Sequence, residues 1–231
     1  MERRSYAPVF DARTIAEYAV FIAIILAMRI MGLSMIPVGP LKMTLTMVPI
    51  AIGAMLLGPL GGAILGGVFG FTSLYDAMTG TSVMTGFFFQ VSPFLTFLLC
   101  VGTRILVGAA TGWLFQLFRK LDPKRIWCYF AGGLLAPMLN TILFMGFIVL
   151  VFYQTEFVQK MVADKGAVNP LMFVILVVGV QGLVEWLTGL VIAGGVAKAV
   201  ARALKRDGVE PVKTARPLPA EISPENKEEQ K

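Results

Sequence analysis

Four strongly polar side chains lie inside long apolar runs of this 231-residue chain. Burying such side chains in an apolar environment costs free energy, so each of them is expected to have a bound ligand or a polar partner. They are Arg104, Asn140, Gln181 and Glu185. Gln181 and Glu185 are spaced i and i+4, so a helix would place them on the same face. Three helices would then present a guanidinium, an amide and an amide–carboxylate pair at similar depths. That arrangement is typical of a pocket for a small polar molecule.

A second interpretation of these residues needs no ligand. Arg104 and Glu185 would form an ion pair inside the protein, because polar groups in hydrocarbon take any partner within reach. Asn140 and Gln181 would then hold neighbouring helices together by hydrogen bonds. The sequence alone leaves both interpretations open.

Composition and charge predict an all-α membrane protein. Hydrophobic residues make up 57% of the chain and charged residues 15%, and the mean hydropathy is +0.78, far from the values of a soluble domain. Six transmembrane helices would place every basic cluster on one side, so the positive-inside rule predicts cytoplasmic N- and C-termini. The expected spans are residues 15–32, 43–57, 60–75, 93–118, 127–153 and 171–199. The basic clusters are Arg3, Arg4 and Arg13, then Arg119, Lys120, Lys124 and Arg125, and finally Lys198, Arg202, Lys205 and Arg206.

The ends of the chain differ in character. We expect residues 1–206 to form one six-helix transmembrane domain. Residues 207–231 are rich in proline and charge and lack an apolar period, so a disordered cytoplasmic tail is predicted there. The net charge of the chain is +6, and its basic clusters are predicted to lie on one side of the membrane. This distribution argues against nucleic acid as a partner and for membrane lipid.

Several chemistries are disfavoured by what the sequence lacks. The chain has no histidine, and its two cysteines do not form a Cys-x-x-Cys motif, so we expect no metal, no cofactor and no structural disulfide. It has no phosphate-binding loop, so any ATP hydrolysis would belong to a partner. An intramembrane enzyme using Glu185 is a weaker alternative, because no second group stands ready to cooperate. A channel or symmetric transporter is disfavoured because no half of the sequence repeats.

The chain is organised around residues 36–80, where two short apolar helices are predicted to meet at Gly58-Pro59. Proline disfavours helical geometry before it and can begin the next helix, so the two segments should form a hairpin. Gly62, Gly66 and Gly70 then recur every fourth residue. This spacing leaves one helical face without side chains, where a neighbouring backbone can approach closely.

The loop before this hairpin contains Pro37, Gly39, Pro40 and Lys42. It cannot extend the first helix, and it is polar enough to lie at the membrane surface or over a cavity. We therefore predict that it serves as a lid.

The run PVGPLKMTLTMVPIAIGAMLLGP, followed by the glycine-rich helix, resembles the S components of energy-coupling-factor (ECF) vitamin transporters over about residues 10–205. The resemblance implies a substrate-binding subunit in a prokaryotic plasma membrane that lacks ATPase activity and depends on a transmembrane coupling protein and two cytoplasmic ATPases. It is strongest to the pantothenate type, and an anionic vitamin would give Arg104 a counter-charge. Riboflavin, folate or another vitamin stays open.

The resemblance also implies where ligand binds, namely between the outer halves of the later helices. The loops after the first, third and fifth helices would cap that space, and here they are residues 33–42, 76–90 and 154–170. Lys42, Phe88 and Gln90 are therefore added to the expected ligand contacts. The phenylalanine run around Phe88 has a second interpretation as an anchor at the membrane interface.

Ala19, Ala23 and Ala27 form a stripe of small residues on the first helix. Packing within the chain is one interpretation of the stripe. The resemblance implies another, because S components dock on their coupling protein through an alanine stripe at this spacing. Arg29, near the end of the same helix, is expected to extend to the interface rather than to bind a partner.

Overall fold

The computed structural model describes residues 12–33, 36–38, 41–43, 45–121 and 126–204. The predicted tail at residues 207–231 and the basic residues before Ala12 lie outside the described residues, as do Gly39 and Pro40 of the expected lid and Lys124, Arg125, Lys205 and Arg206 of the basic clusters.

Helices dominate the described part of the chain. Seven helices are joined by short connections, and two three-residue strands follow the first helix. The helices are α1 (Ala12–Ile30), α2 (Met47–Met78), α3 (Val83–Val91), α4 (Pro93–Leu121), α5 (Trp127–Phe152), α6 (Glu156–Asp164) and α7 (Pro170–Ala203). Short π-helical segments lie inside three of them, at Leu98–Gly102, Ile148–Phe152 and Gly189–Ala193.

Among the described residues, four helices, α2, α4, α5 and α7, are long and apolar enough to cross a membrane. The predominantly helical class predicted from the sequence is therefore confirmed. Helix α1 has 19 residues but carries Arg13, Glu17 and Arg29, which make it more polar than the other four.

The predicted lid loop departs from an all-α fold. Strands β1 (Ile36–Val38) and β2 (Leu41–Met43) pair in antiparallel fashion, with Pro37 opposite Lys42. Strands of three residues are too short to show an alternating pattern in the sequence, which is why the loop was expected to be irregular.

Helix α2 is broken at Gly58, as the sequence predicted. The backbone angles of Gly58 are φ 80° and ψ −169°, a conformation that glycine adopts at little steric cost. A Cβ placed on Gly62 would lie 2.9 Å from Cβ of Ala54, although a straight helix would separate these residues by about 12 Å. The first limb (residues 47–57) and second limb (residues 59–78) therefore fold back on each other, and the predicted hairpin is confirmed.

The glycine face of the second limb packs against α4. A Cβ on Gly70 would lie 2.7 Å from Cα of Val101, and one on Gly66 would overlap the carbonyl oxygen of Arg104. The backbones of α2 and α4 thus approach without intervening side chains. This close approach fixes the position of Arg104 relative to the second limb.

Replacing Gly66 with alanine is expected to lower the thermal unfolding midpoint of the purified protein by several degrees. The added methyl group has to displace the α4 backbone, and overpacking of this kind costs about 1–3 kcal/mol. Gly146→Ala in α5 is the matched control, because a Cβ there meets nothing within 4 Å. Equal unfolding midpoints for the two variants would contradict the close approach of α2 and α4.

Two groups of buried side chains form most of the core. One lies where α2, α4, α5 and the end of α7 meet, and includes Ala51, Met55, Phe115, Ala136 and Ala193. The other, which we call the aromatic cluster, consists of Phe88, Leu99, Met145, Ile148, Phe152, Val158 and Phe173. Helices α3 and α6 contribute to the aromatic cluster, so these two short helices cover one end of the bundle.

Candidate functional site

Arg104 is buried in α4, two residues after the end of the π-helical segment Leu98–Gly102. Its Nη1 donates hydrogen bonds to the carbonyl oxygens of Cys100 at 3.2 Å and Leu99 at 3.5 Å. The guanidinium carbon lies 4.7 Å from the ring centroids of both Phe69 and Phe144. Two aromatic faces thus hold the cation from opposite helices, and each attracts it electrostatically.

Arg104 has no directly contacting carboxylate in the described part of the chain. No carboxylate there forms an ion pair with it, and its Nε is buried without a hydrogen-bond partner. The alternative ion pair with Glu185 is therefore not present. A guanidinium stays charged even when buried, so this region holds a positive charge that an anionic ligand would neutralise.

Asn140 lies on the face of α5 that connects Arg104 to α7. Phe144, one turn further along α5, contacts Arg104, and Pro137, about one turn earlier, packs against Gly189 of α7. Positions three and four residues apart share a helical face, so Asn140 stands between these two contacts. Its Oδ1 is buried and has no hydrogen-bond partner.

Gln181 and Glu185 pair on α7 as their spacing predicts. Nε2 of Gln181 donates to Oε1 of Glu185 at 3.2 Å. Gly189, one turn further along this face, packs against Gly133 and Pro137 of α5. Because α5 and α7 run antiparallel, Glu185 lies at about the level of Asn140, and Gln181, one turn earlier on α7, lies at about the level of Phe144 and Arg104.

A break in α7 precedes this pair. Gly179 has φ 46° and ψ −141° inside the helix, and a Cβ there would find nothing within 4 Å. The glycine is therefore required by the backbone angle rather than by lack of space. Gly182 and Gly189 on the same helix remain helical, so the glycine at which α7 bends was not predictable from residue type alone.

The residues expected from α3 separate into two environments. Phe88 is fully buried, with its ring 4.3 Å from that of Phe152 in a stacked arrangement and its edge against Phe157. The membrane-anchor interpretation is therefore wrong for Phe88, which forms part of the aromatic cluster. Gln90 is exposed, so its side chain lies outside the buried region around Arg104.

Lys42 is placed by its backbone alone. Strand β2, which contains it, lies against α7. The side chain of Lys42 lies outside the described part of the structure. The strand pair is thus close to the helix that carries Gln181 and Glu185.

The alanine stripe of α1 faces away from the bundle. Ala19, Ala23 and Ala27 are all exposed, whereas Tyr18 and Ile25 of the same helix are buried. Packing of the stripe within the described chain is therefore not observed. An apolar groove of about 720 Å³ runs beside it, between α1, the first limb of α2 and the end of α7.

Arg29 binds a partner, contrary to the expectation that it extends freely to the interface. Its two terminal nitrogens donate to the two carboxylate oxygens of Asp76 at 2.7 and 2.6 Å, and Nη1 also donates to the carbonyl oxygen of Thr72 at 2.9 Å. Asp76 lies in the last turns of α2 rather than in a turn after it. The expectation failed because the two residues are 47 positions apart, and only the packing of α1 against α2 brings them together.

Asp76→Asn is expected to lower the unfolding midpoint, by an amount that corresponds to about 1–2 kcal/mol for loss of a two-point, partly buried ion pair. Asp164→Asn, at the exposed end of α6, is the control. Thermal unfolding in detergent measures both, and an unchanged midpoint for Asp76→Asn would show that the pair does not hold α1 in place.

Sequence reasoning missed three residues of this region. Phe69 and Phe144 enclose Arg104, but aromatic residues in apolar helices are too common to be singled out. Trp186 follows Glu185 directly, and its indole Nε1 is buried without a partner. Its position next to a predicted site residue was the one signal available.

Comparison with known proteins agrees with this architecture. The family described as "ECF transporter, substrate-specific component" matches residues 13–196. A relative named pantothenate transporter PanT, from Leuconostoc mesenteroides subsp. mesenteroides, is 27% identical over 198 residues, which cover 82% of this chain and 93% of the relative. The family consists of transporter components rather than enzymes. The chain therefore belongs to the family of substrate-specific components, or S components, of ECF transporters.

Proposed function

We propose that this protein is the pantothenate-binding S component of an ECF importer. The observation that carries the proposal is the buried guanidinium of Arg104, which is held between two phenylalanine rings and forms no ion pair with any of the described residues. The similarity to a protein named pantothenate transporter supports the same substrate.

The chemistry of pantothenate matches the groups around Arg104. The vitamin has a carboxylate at one end, an amide in the middle and two hydroxyl groups at the other end. Arg104 would bind the carboxylate, because a guanidinium offers two parallel donors to such a group. Asn140, Gln181 and Glu185 would bind the neutral polar groups, and the aromatic cluster would exclude water from the bound ligand.

The lid predicted from the sequence belongs to this proposal. The strand pair β1–β2 follows α1 and lies against α7, so it is close to the helix that carries Gln181 and Glu185. We propose that it covers the ligand and that Lys42 contributes a positive charge there. Gln90 would contact ligand only if α3 turned.

Six crossings of the cell membrane, with both termini in the cytoplasm, fit the helices. The four long helices supply five crossings, because the two limbs of α2 count separately, and α1 supplies the sixth. The first limb, residues 47–57, is only about 16 Å long. The residues that precede this limb, from β2 onward, would span the remaining thickness of the membrane. Residues 1–206 would then form one substrate-binding domain, with residues 207–231 as its cytoplasmic tail.

The partners would be a transmembrane coupling protein and two cytoplasmic ATPases. The exposed alanine stripe of α1 offers a surface on which another helix can approach closely, since methyl groups leave the backbone accessible. The apolar groove beside the stripe enlarges that surface, with α1, the first limb of α2 and α7 as its walls.

The direct test is to identify what the protein carries. The protein is purified in detergent, and small molecules released by denaturation are identified by mass spectrometry. Pantothenate in near-stoichiometric amount is the expected result. Riboflavin, folate or another vitamin in its place would overturn the substrate assignment.

A further inference from the structure

Five buried polar side-chain atoms in the described residues lack a hydrogen-bond partner. Two of them, Nε of Arg104 and Oδ1 of Asn140, belong to the site described above. A third, Nε1 of Trp186, lies in the same part of the bundle. The remaining two are the hydroxyl oxygens of Thr46 and Thr85.

The position of Trp186 on α7 directs its indole into the bundle. Gly182, Gly189 and Ala193 are all buried, and the spacing of these residues places Trp186 on the same stripe of the helix. Gly189 packs against Pro137 of α5. Trp186, about one turn earlier on the antiparallel helix, is therefore level with Asn140.

The two unpaired groups at this level are chemically complementary to a ligand with neutral polar groups. An indole N–H can donate a hydrogen bond but cannot accept one, whereas the amide oxygen of Asn140 can accept one. Buried polar groups in native proteins are almost always paired, because leaving one unpaired is costly. A ligand that offers an acceptor to Trp186 and a donor to Asn140 would satisfy both.

We propose that Trp186 is a ligand-binding residue whose indole N–H donates a hydrogen bond to the amide carbonyl oxygen of pantothenate. This inference rests on the proposed function. Measured along the axis of α5, Trp186 is separated from Phe144 and Arg104 by one helical turn, or about 6 Å. The amide carbon of pantothenate is four bonds from its carboxylate carbon, about 5 Å in an extended chain. Arg104 and Trp186 therefore bind the two ends of the same short segment and select ligands that have both groups.

Trp186→Phe tests the proposal, because it keeps an aromatic ring and removes the N–H. Pantothenate titrations by calorimetry are expected to show about a tenfold loss of affinity. Trp113→Phe is the matched control, since Trp113 is 60% exposed on α4, and it should bind as the unmodified protein does. Equal affinities for the two variants would overturn the role of Trp186 while leaving pantothenate binding itself intact. A lower unfolding midpoint with unchanged affinity would also overturn it, because the indole would then serve the fold alone.

A second measurement does not depend on the Trp186 variant folding. The chain has three tryptophans, so Trp113→Phe combined with Trp127→Phe leaves Trp186 as the sole indole emitter. Saturable change in its fluorescence on addition of pantothenate is expected. Binding detected by calorimetry without any fluorescence change would overturn the contact. No binding by the unmodified protein would instead remove the proposed function, and this inference with it.

Discussion

Arg104→Lys is expected to weaken pantothenate binding by one to two orders of magnitude while leaving the fold intact. The ammonium keeps the charge but loses the planar pair of donors, and hydrogen bonds to charged groups are worth about 1.5–3 kcal/mol. It also loses the flat surface that contacts the rings of Phe69 and Phe144. Calorimetric titration of purified protein measures the effect. Arg119→Lys, at the far end of the same helix, is the control and should bind with unchanged affinity.

Arg104→Leu separates the ligand-binding role from a structural one. Because the guanidinium has no carboxylate partner in the described residues, removing it eliminates a costly buried charge, and the protein should stay folded. Binding should be lost. A stable Arg104→Leu protein that binds pantothenate at full strength would remove Arg104 from the site.

Ala23→Trp is expected to abolish assembly with the ECF coupling module and vitamin uptake. The stripe to which Ala23 belongs is exposed on α1, and an indole would hold a docking helix away from the backbone. Ligand binding by the isolated subunit should not change, because the stripe faces away from Arg104 and the aromatic cluster. Co-purification with the coupling module and uptake in cells measure the two effects.

The control for Ala23→Trp is Ile142→Trp on α5. Ile142 is 59% exposed, so the same indole is added to an apolar surface elsewhere on the bundle. This variant should assemble and transport normally. Normal assembly of the Ala23→Trp protein would contradict docking through the stripe.

Local features of the fold were predictable from the sequence because they depend on neighbouring residues. The break of α2 follows from the Gly58-Pro59 pair. The close packing of its second limb against α4 follows from the glycines at every fourth residue, Gly62, Gly66 and Gly70. Hydropathy and length predicted six spans, and five of them coincide with the two limbs of α2 and with α4, α5 and α7. Each of these predictions needs only a short window of sequence.

The parts of the site that were missed depend on contacts between distant segments. The rings around Arg104 come from α2 and α5, and the partner of Arg29 comes from the end of α2. The π-helical segment that contains the carbonyl oxygens contacted by Arg104 has no reliable sequence signature. The candidate polar residues could be identified because burying a polar side chain in a membrane costs free energy. The residues that contact them come from distant segments and could not be identified in this way.

The most direct test of the central claim compares two ligands that differ at one group. Calorimetry is performed on the unmodified protein with pantothenate and with its alcohol analogue, in which a hydroxymethyl group replaces the carboxylate. If Arg104 binds the carboxylate, pantothenate should bind at least tenfold more tightly, and this preference should vanish in Arg104→Leu. Equal binding of the two ligands by the unmodified protein would contradict the account.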